Sequence, residues 1–152
     1  SARWNVVRAD VAARKIARAS AWLADAEAIL ARPIDAFVAD RRERDLAAFY
    51  LQLAIQETID LAAHWVSDAG WAPPTDAGAT FDVLADQGAI SSSLATALRS
   101  AVGLRNRIVH GYAGVDHTRL HSEAAEGVSA LRRFLAAVST ATEAGERDRS
   151  RD

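Results

Sequence analysis

Residues 51–64 read Leu51-Gln52-Leu53-Ala54-Ile55-Gln56-Glu57-Thr58-Ile59-Asp60-Leu61-Ala62-Ala63-His64. They fall inside a longer helical pattern that starts near Arg42 and ends near Ala69, where Gly70 supplies a stop. Leu46, Phe49, Tyr50, Leu53, Ile59, Leu61 and Trp65 make much of that helix apolar. A surface helix carries one apolar stripe, whereas a helix apolar around most of its circumference belongs at the centre of a bundle. Ala, Leu, Arg and Glu dominate the chain, and runs of β-branched residues are absent. The sequence therefore predicts an all-α bundle of about five helices.

The remaining helices flank this one. A first long helix is predicted from about Val7 to Ala31, with an apolar stripe of Val11, Ile16, Ala19, Leu23, Ala26 and Leu30, and Pro33 ends it. Residues Ile34 to Asp40 fit a short helical turn. Gly70 through Gly78, with Pro73 and Pro74, reads as a loop. A short helix from Thr80 to Asp86 follows, closed by Gly88. Ser91 to Ser93 can cap a further helix carrying Leu94, Leu98, Val102 and Val109, and Asp116 is the expected N-cap of a last long helix ending near Thr142. These elements make residues 1–144 a single domain. The charged stretch 145–152 is expected to be a disordered tail.

Composition narrows the chemistry. Among 152 residues there is no cysteine, which excludes disulfides, thiolate nucleophiles and cysteine-bound zinc. The lack of cysteine also fits a reducing cytoplasm. No apolar run approaches the roughly 20 residues of a membrane span, and no signal-peptide pattern opens the chain. The chain begins at Ser1 and has no Met, so the initiator is read as removed or as lying outside this sequence. A net charge of −2 argues against coating nucleic acid by bulk attraction, so any RNA contact has to be local. Seventeen of the 18 basic residues are Arg. In so Ala- and Arg-rich a chain, that reads as compositional bias.

The local candidate is Leu104-Arg105-Asn106-Arg107-Ile108-Val109-His110-Gly111-Tyr112, at the end of the fourth predicted helix, the one capped by Ser91 to Ser93. It gathers one of only two Asn, one of two Tyr and one of four His in the chain. Asn106 and His110 are four apart and share a helix face. Arg105 lies five before His110, about 140° away around the helix, though its long side chain can swing back. Arginine holds phosphate charge with a planar fork of donors, and histidine moves protons near neutral pH. The electronegative C-terminal end of a helix suits a cation. Cleaving RNA without a metal needs a base for the 2′-hydroxyl, an acid for the leaving oxygen and positive charge on the phosphorane-like transition state. One copy of the motif supplies a single histidine. Two copies across a two-fold axis would supply both base and acid, so the chemistry itself points to a homodimer with the site at its interface.

Arg-Asn-x-x-x-His-x-Tyr in a small all-helical protein resembles the HEPN superfamily, and more narrowly the HepT toxins of HEPN/MNT toxin–antitoxin pairs. The resemblance extends to Leu51–His64, similar to that family's central helix, and to Phe81–Ile90, similar to its short helix and turn. It covers roughly Val7 to Ala141. It implies a helical bundle that dimerises and acts as a metal-independent endoribonuclease, with neither cofactor nor metal. By position it makes Arg105 and His110 the catalytic pair, with Asn106 and Arg107 in support. Asn106 would orient the phosphate or His110. Tyr112 occupies the position that a nucleotidyltransferase antitoxin modifies with AMP in this family, placing negative charge and bulk over the site. The implied partners are an RNA substrate, a second copy of the chain and a cognate MNT-type antitoxin. The alternative is a non-catalytic HEPN subunit that binds nucleotide or RNA beside a nucleotidyltransferase.

Other constellations read more simply. Gln52, Gln56, Asp60 and His64 share one helix face with Glu57 nearby. The Glu-x-x-His pattern of di-iron bundles is missing, so this stripe is expected to be a polar seam at an interface or beside the cleft, with Asp60 and His64 as a hydrogen-bonded pair. His117 and His121 are four apart and read as a solvated helix face rather than a metal pair. The run Asp40–Asp45 reads as a solvated helix start. The tryptophans Trp4, Trp22 and Trp65 are expected in the core, and Trp71 at an interface.

Overall fold

The computed structural model describes residues 9–111 and 114–152. Every element among them is helical: α1 (Ala9–Leu30), α2 (Ile34–Ala39), α3 (Arg41–Asp68), α4 (Ala77–Asp86), α5 (Ser92–His110) and α6 (His117–Arg149). The count is six rather than about five because Ile34–Ala39 closes a helical turn of its own. Val7 and Trp4 lie outside the described residues.

The helix ends follow local chemistry. Asp40, Asp76, Ser91 and Asp116 cap α3, α4, α5 and α6, each side chain accepting a hydrogen bond from the backbone N–H three residues on. Gly70 and Gly88 have φ of 76° and 77°. Each ends its helix with a paired closure: Trp71 N–H donates to Val66 O and Gly70 N–H to Ser67 O, and Ala89 N–H to Leu84 O and Gly88 N–H to Ala85 O. Two boundaries depart from the sequence reading. Helix α4 starts at Ala77 rather than Thr80, because Asp76 caps it and Gly78 sits inside the first turn. Helix α6 runs past Thr142 to Arg149, so most of the stretch expected to be a disordered tail continues the helix. Glu and Arg are strong helix formers, a single internal glycine costs only about 1 kcal/mol, and Thr142 and Gly145 are buried.

Helix α3 is the centre of the bundle, contacting all five other helices and α1 most extensively. The two run antiparallel: Lys15 pairs with Glu57 near the middle, and Arg32 with Asp40 at one end. Helix α6 crosses α1 antiparallel, with Arg132 on Glu27, and is antiparallel to α5 as well, with Arg107 on Glu123. The core of α3 is built from smaller side chains than the sequence reading favoured. Ala47, Leu51, Ala54, Ile55, Leu61, Ala62 and Trp65 are buried, whereas Phe49 is 53% exposed. Trp65 and Phe81 pack on Phe134 of α6, with ring centroids 6.1 and 5.3 Å away. No helix among the described residues is long and apolar enough to cross a membrane.

A part-buried ion pair joins α1 to α3. Glu57 is buried, and Lys15, the only lysine of the chain, donates to its Oε1 at 3.0 Å. Removing one member of a buried pair leaves the other charge uncompensated. Lys15→Met is therefore expected to destabilise the fold by about 3 kcal/mol, and Lys15→Met with Glu57→Gln to recover most of that loss. Urea unfolding of the two variants checks this, and equal stabilities would refute it.

Candidate active site

The motif helix α5 begins at the Ser91 cap and carries Leu94, Leu98, Ala101, Val102, Leu104 and Ile108 into the core. This apolar stripe fixes the rotation of α5 and hence where its polar residues point. Asn106 and His110, one turn apart, are exposed. Both line an open cleft of about 480 Å³, whose opposite wall is formed by Val115, Asp116, Arg119 and Leu120 at the start of α6. Among the described residues nothing hydrogen-bonds to the His110 ring.

Gly111 ends α5 with φ −114° and ψ 31°, angles open to other residues. Its requirement is spatial: a Cβ there would lie 2.5 Å from the backbone oxygen of Arg107. The chain can thus leave the helix immediately after His110 and leave its ring on the cleft wall. Tyr112, the expected modification site, lies outside the described residues.

Arg105 turns the other way. Its Nη1 donates to Gln56 Oε1 on α3 at 3.0 Å, and its Nε is buried with no hydrogen-bond partner. Arg105 does not line the cleft that holds His110. The single chain therefore brings Asn106, Arg107 and His110 together and keeps Arg105 apart, in keeping with the 140° between the two positions. Arg107 is engaged with Glu123, which also accepts from Arg119 Nε at 2.7 Å. Of the motif arginines, Arg107 is thus tied to a carboxylate, while among the described residues Arg105 meets only a neutral amide.

The polar seam on α3 sits beside Arg105 and is wired differently from the sequence reading. Gln56 Nε2 donates to Asp60 Oδ1 at 3.1 Å, so Asp60 pairs with Gln56 rather than with His64. The bond from Arg105 to Gln56 spans 49 positions and left no local signal in the sequence. The histidines of α6 are not a solvated face either. His121 Nε2 lies 3.0 Å from the carbonyl oxygen of Arg32, and its ring packs 5.2 Å from Phe37, anchoring α6 to the α1–α2 turn. Burial and then the Arg44 guanidinium hold the His117 imidazole below the ordinary histidine range. His117 Nδ1 and Arg44 Nε are both buried without hydrogen-bond partners. The start of α3 is a solvated helix start only in part: Arg41 and Arg42 are exposed, but Arg44 is half-buried. Asp40 is held below the usual carboxylate range by the Glu43 N–H and then by Arg32. Trp71 is half-buried in a recess with Pro73 and Pro74.

Comparison with known proteins finds the same helical fold in chains of solved toxin–antitoxin complexes. A toxin–antitoxin complex solved with AMP-PNP contains a chain with TM-score 0.79 and 21% identity, the match covering 86% of this chain and 98% of that one. The tri-AMPylated HEPN toxin of Shewanella oneidensis, solved in complex with its MNT antitoxin, matches at TM-score 0.79 and 22% identity over the same shares. A mutant MntA–HpeT complex matches at TM-score 0.78 and 21% identity, again over 86% and 98%. No curated protein sequence matches the chain. The family model described as "Ribonuclease HepT-like" matches residues 21–138; the chain belongs to the HepT-like ribonuclease family.

Proposed function

We propose that this protein is the toxin of a HEPN/MNT pair, a metal-independent endoribonuclease that acts in the cytoplasm as a homodimer. The observation that carries this reading is the state of the two motif residues. Among the described residues His110 stands exposed on a cleft wall with no partner, and no carboxylate meets the Arg105 guanidinium. His121, which serves the fold, is by contrast held at the Arg32 carbonyl and packed on Phe37.

The reaction needs two proton carriers. One imidazole takes the 2′-hydroxyl proton while that oxygen attacks phosphorus. A protonated imidazole gives its proton to the departing 5′-oxygen, leaving a 2′,3′-cyclic phosphate and a free 5′-hydroxyl. Arginine offsets the charge gathering on the phosphorane oxygens. One chain offers one such histidine, and the second comes from an identical chain across a two-fold axis. An exposed Phe49 on the face of α3 that also carries Gln56 is consistent with a partner surface there. Tyr112 is the off-switch: AMP transferred to its hydroxyl by a nucleotidyltransferase antitoxin adds phosphate charge that repels the RNA backbone.

Two measurements test this reading. The purified, unmodified chain is expected to cleave RNA in excess EDTA, leaving 2′,3′-cyclic phosphate ends. Co-expressed with its antitoxin, it is expected to gain whole AMP units by intact mass, and Tyr112→Phe to gain none. Tight RNA binding without any cleavage would favour the non-catalytic subunit instead.

A further inference from the structure

We infer that Gln56 is a positioning residue for Arg105, one that fixes the guanidinium with a neutral oxygen and so keeps its whole positive charge available to an RNA phosphodiester. The inference rests on the ribonuclease reading above. Gln56 Oε1 accepts from Arg105 Nη1 at 3.0 Å, and Gln56 Nε2 donates to Asp60 Oδ1 at 3.1 Å. These two bonds determine which way the amide faces. Turned over, it would set its NH₂ against the guanidinium and its oxygen against the carboxylate, and both contacts would repel. Asp60 therefore orients Gln56, and Gln56 orients Arg105.

The Gln56 bond is the one hydrogen bond on that guanidinium among the described residues, since Arg105 Nε has no partner. Without it, packing alone would select the rotamer of a long, half-buried side chain. The choice of an amide matters as much as the bond. Arg107 and Arg119 share the carboxylate of Glu123, and a carboxylate already in place competes with an incoming phosphate for the same donors. At position 56 the acceptor carries no charge, and the nearest acid of the network, Asp60, is held one amide further off.

The rival view makes Gln56 a pin between α3 and α5, and the two views rank substitutions in opposite orders. Gln56→Glu is combined with Asp60→Asn to avoid placing two acids one turn apart. The double variant gives Arg105 a stronger, charged partner. Gln56→Met keeps the length and removes the bond. If Gln56 spares the charge, Gln56→Glu/Asp60→Asn melts at or above the wild-type temperature but cleaves RNA about 10²-fold more slowly in kcat/KM. Gln56→Met then stays within about tenfold of wild type. If Gln56 is only a pin, the double variant is the more active of the two. That ranking, or wild-type cleavage by the double variant, overturns the inference. Asp60→Asn alone, measured alongside, isolates the effect of the new charge. A wild-type chain that cleaves no RNA sinks the ribonuclease reading and this inference together. A cleaving wild type, silenced by His110→Ala but indifferent to charge at position 56, sinks this inference alone.

Discussion

His110→Ala is expected to lower RNA cleavage by about 10³- to 10⁴-fold while leaving the melting temperature of the protein unchanged. The size follows from symmetry. In a site built from two identical chains, one substitution removes both the base and the acid, and groups that act as a unit fail together. The lack of a stability cost follows from the structure. His110 is exposed at the last position of α5, supports no hydrogen bond among the described residues and contributes nothing to the core. Exposed substitutions of that kind usually shift stability by less than about 0.5 kcal/mol. Single-turnover cleavage of a labelled RNA, with thermal melting in parallel, checks both halves. Wild-type cleavage by His110→Ala would remove the catalytic assignment. A large drop in melting temperature would mean that the histidine serves the fold.

Phe134→Ala is expected to cost about 4 kcal/mol of stability, a large share of the roughly 5–15 kcal/mol that holds a domain together. Phe134 is fully buried and meets Trp65 of α3 and Phe81 of α4. Its ring thus joins three helices, and truncating it opens a cavity that none of them can fill alone. Phe134→Leu keeps most of the volume and should cost less than about 1.5 kcal/mol. Denaturant melts of the two variants give the comparison. Equal losses would mean that the cluster relaxes around the gap.

The sequence revealed periodicity and capping well. The stops at Gly70 and Gly88, the serine cap of α5 and the Asp116 cap of α6 are all local chemistry, and the structure has them where the residues indicate. Of the α1 stripe, Ala19, Leu23 and Ala26 are buried, with Ala12 and Ile29 beside them, while Val11, Ile16 and Leu30 are half-buried. The structure departs from the sequence pattern where packing decides. Phe49 counted as core by hydrophobicity, yet the tight interior of α3 is filled by Ala47, Leu51 and Ala54, and the larger ring is left outside. The end of α6 read as tail because charge density resembles disorder, although Glu and Arg also build helices. At the candidate site, the shared face of Asn106 and His110 was visible as a four-residue spacing. The partners of Arg105 and His121 were not, because those bonds join residues 49 and 89 positions apart.

Gly111 bears on how this family can vary. At Gly70 and Gly88 the demand is on the backbone angle, there is open space where a side chain would go, and asparagine is a workable replacement. At Gly111 the angle is ordinary but the space is already taken by a carbonyl of the preceding turn. No choice of side chain relieves that crowding, because the clash begins at the first carbon. Among related sequences, the first two glycines should drift to asparagine now and then. The third should stay fixed for as long as the histidine before it keeps its place at the end of the helix.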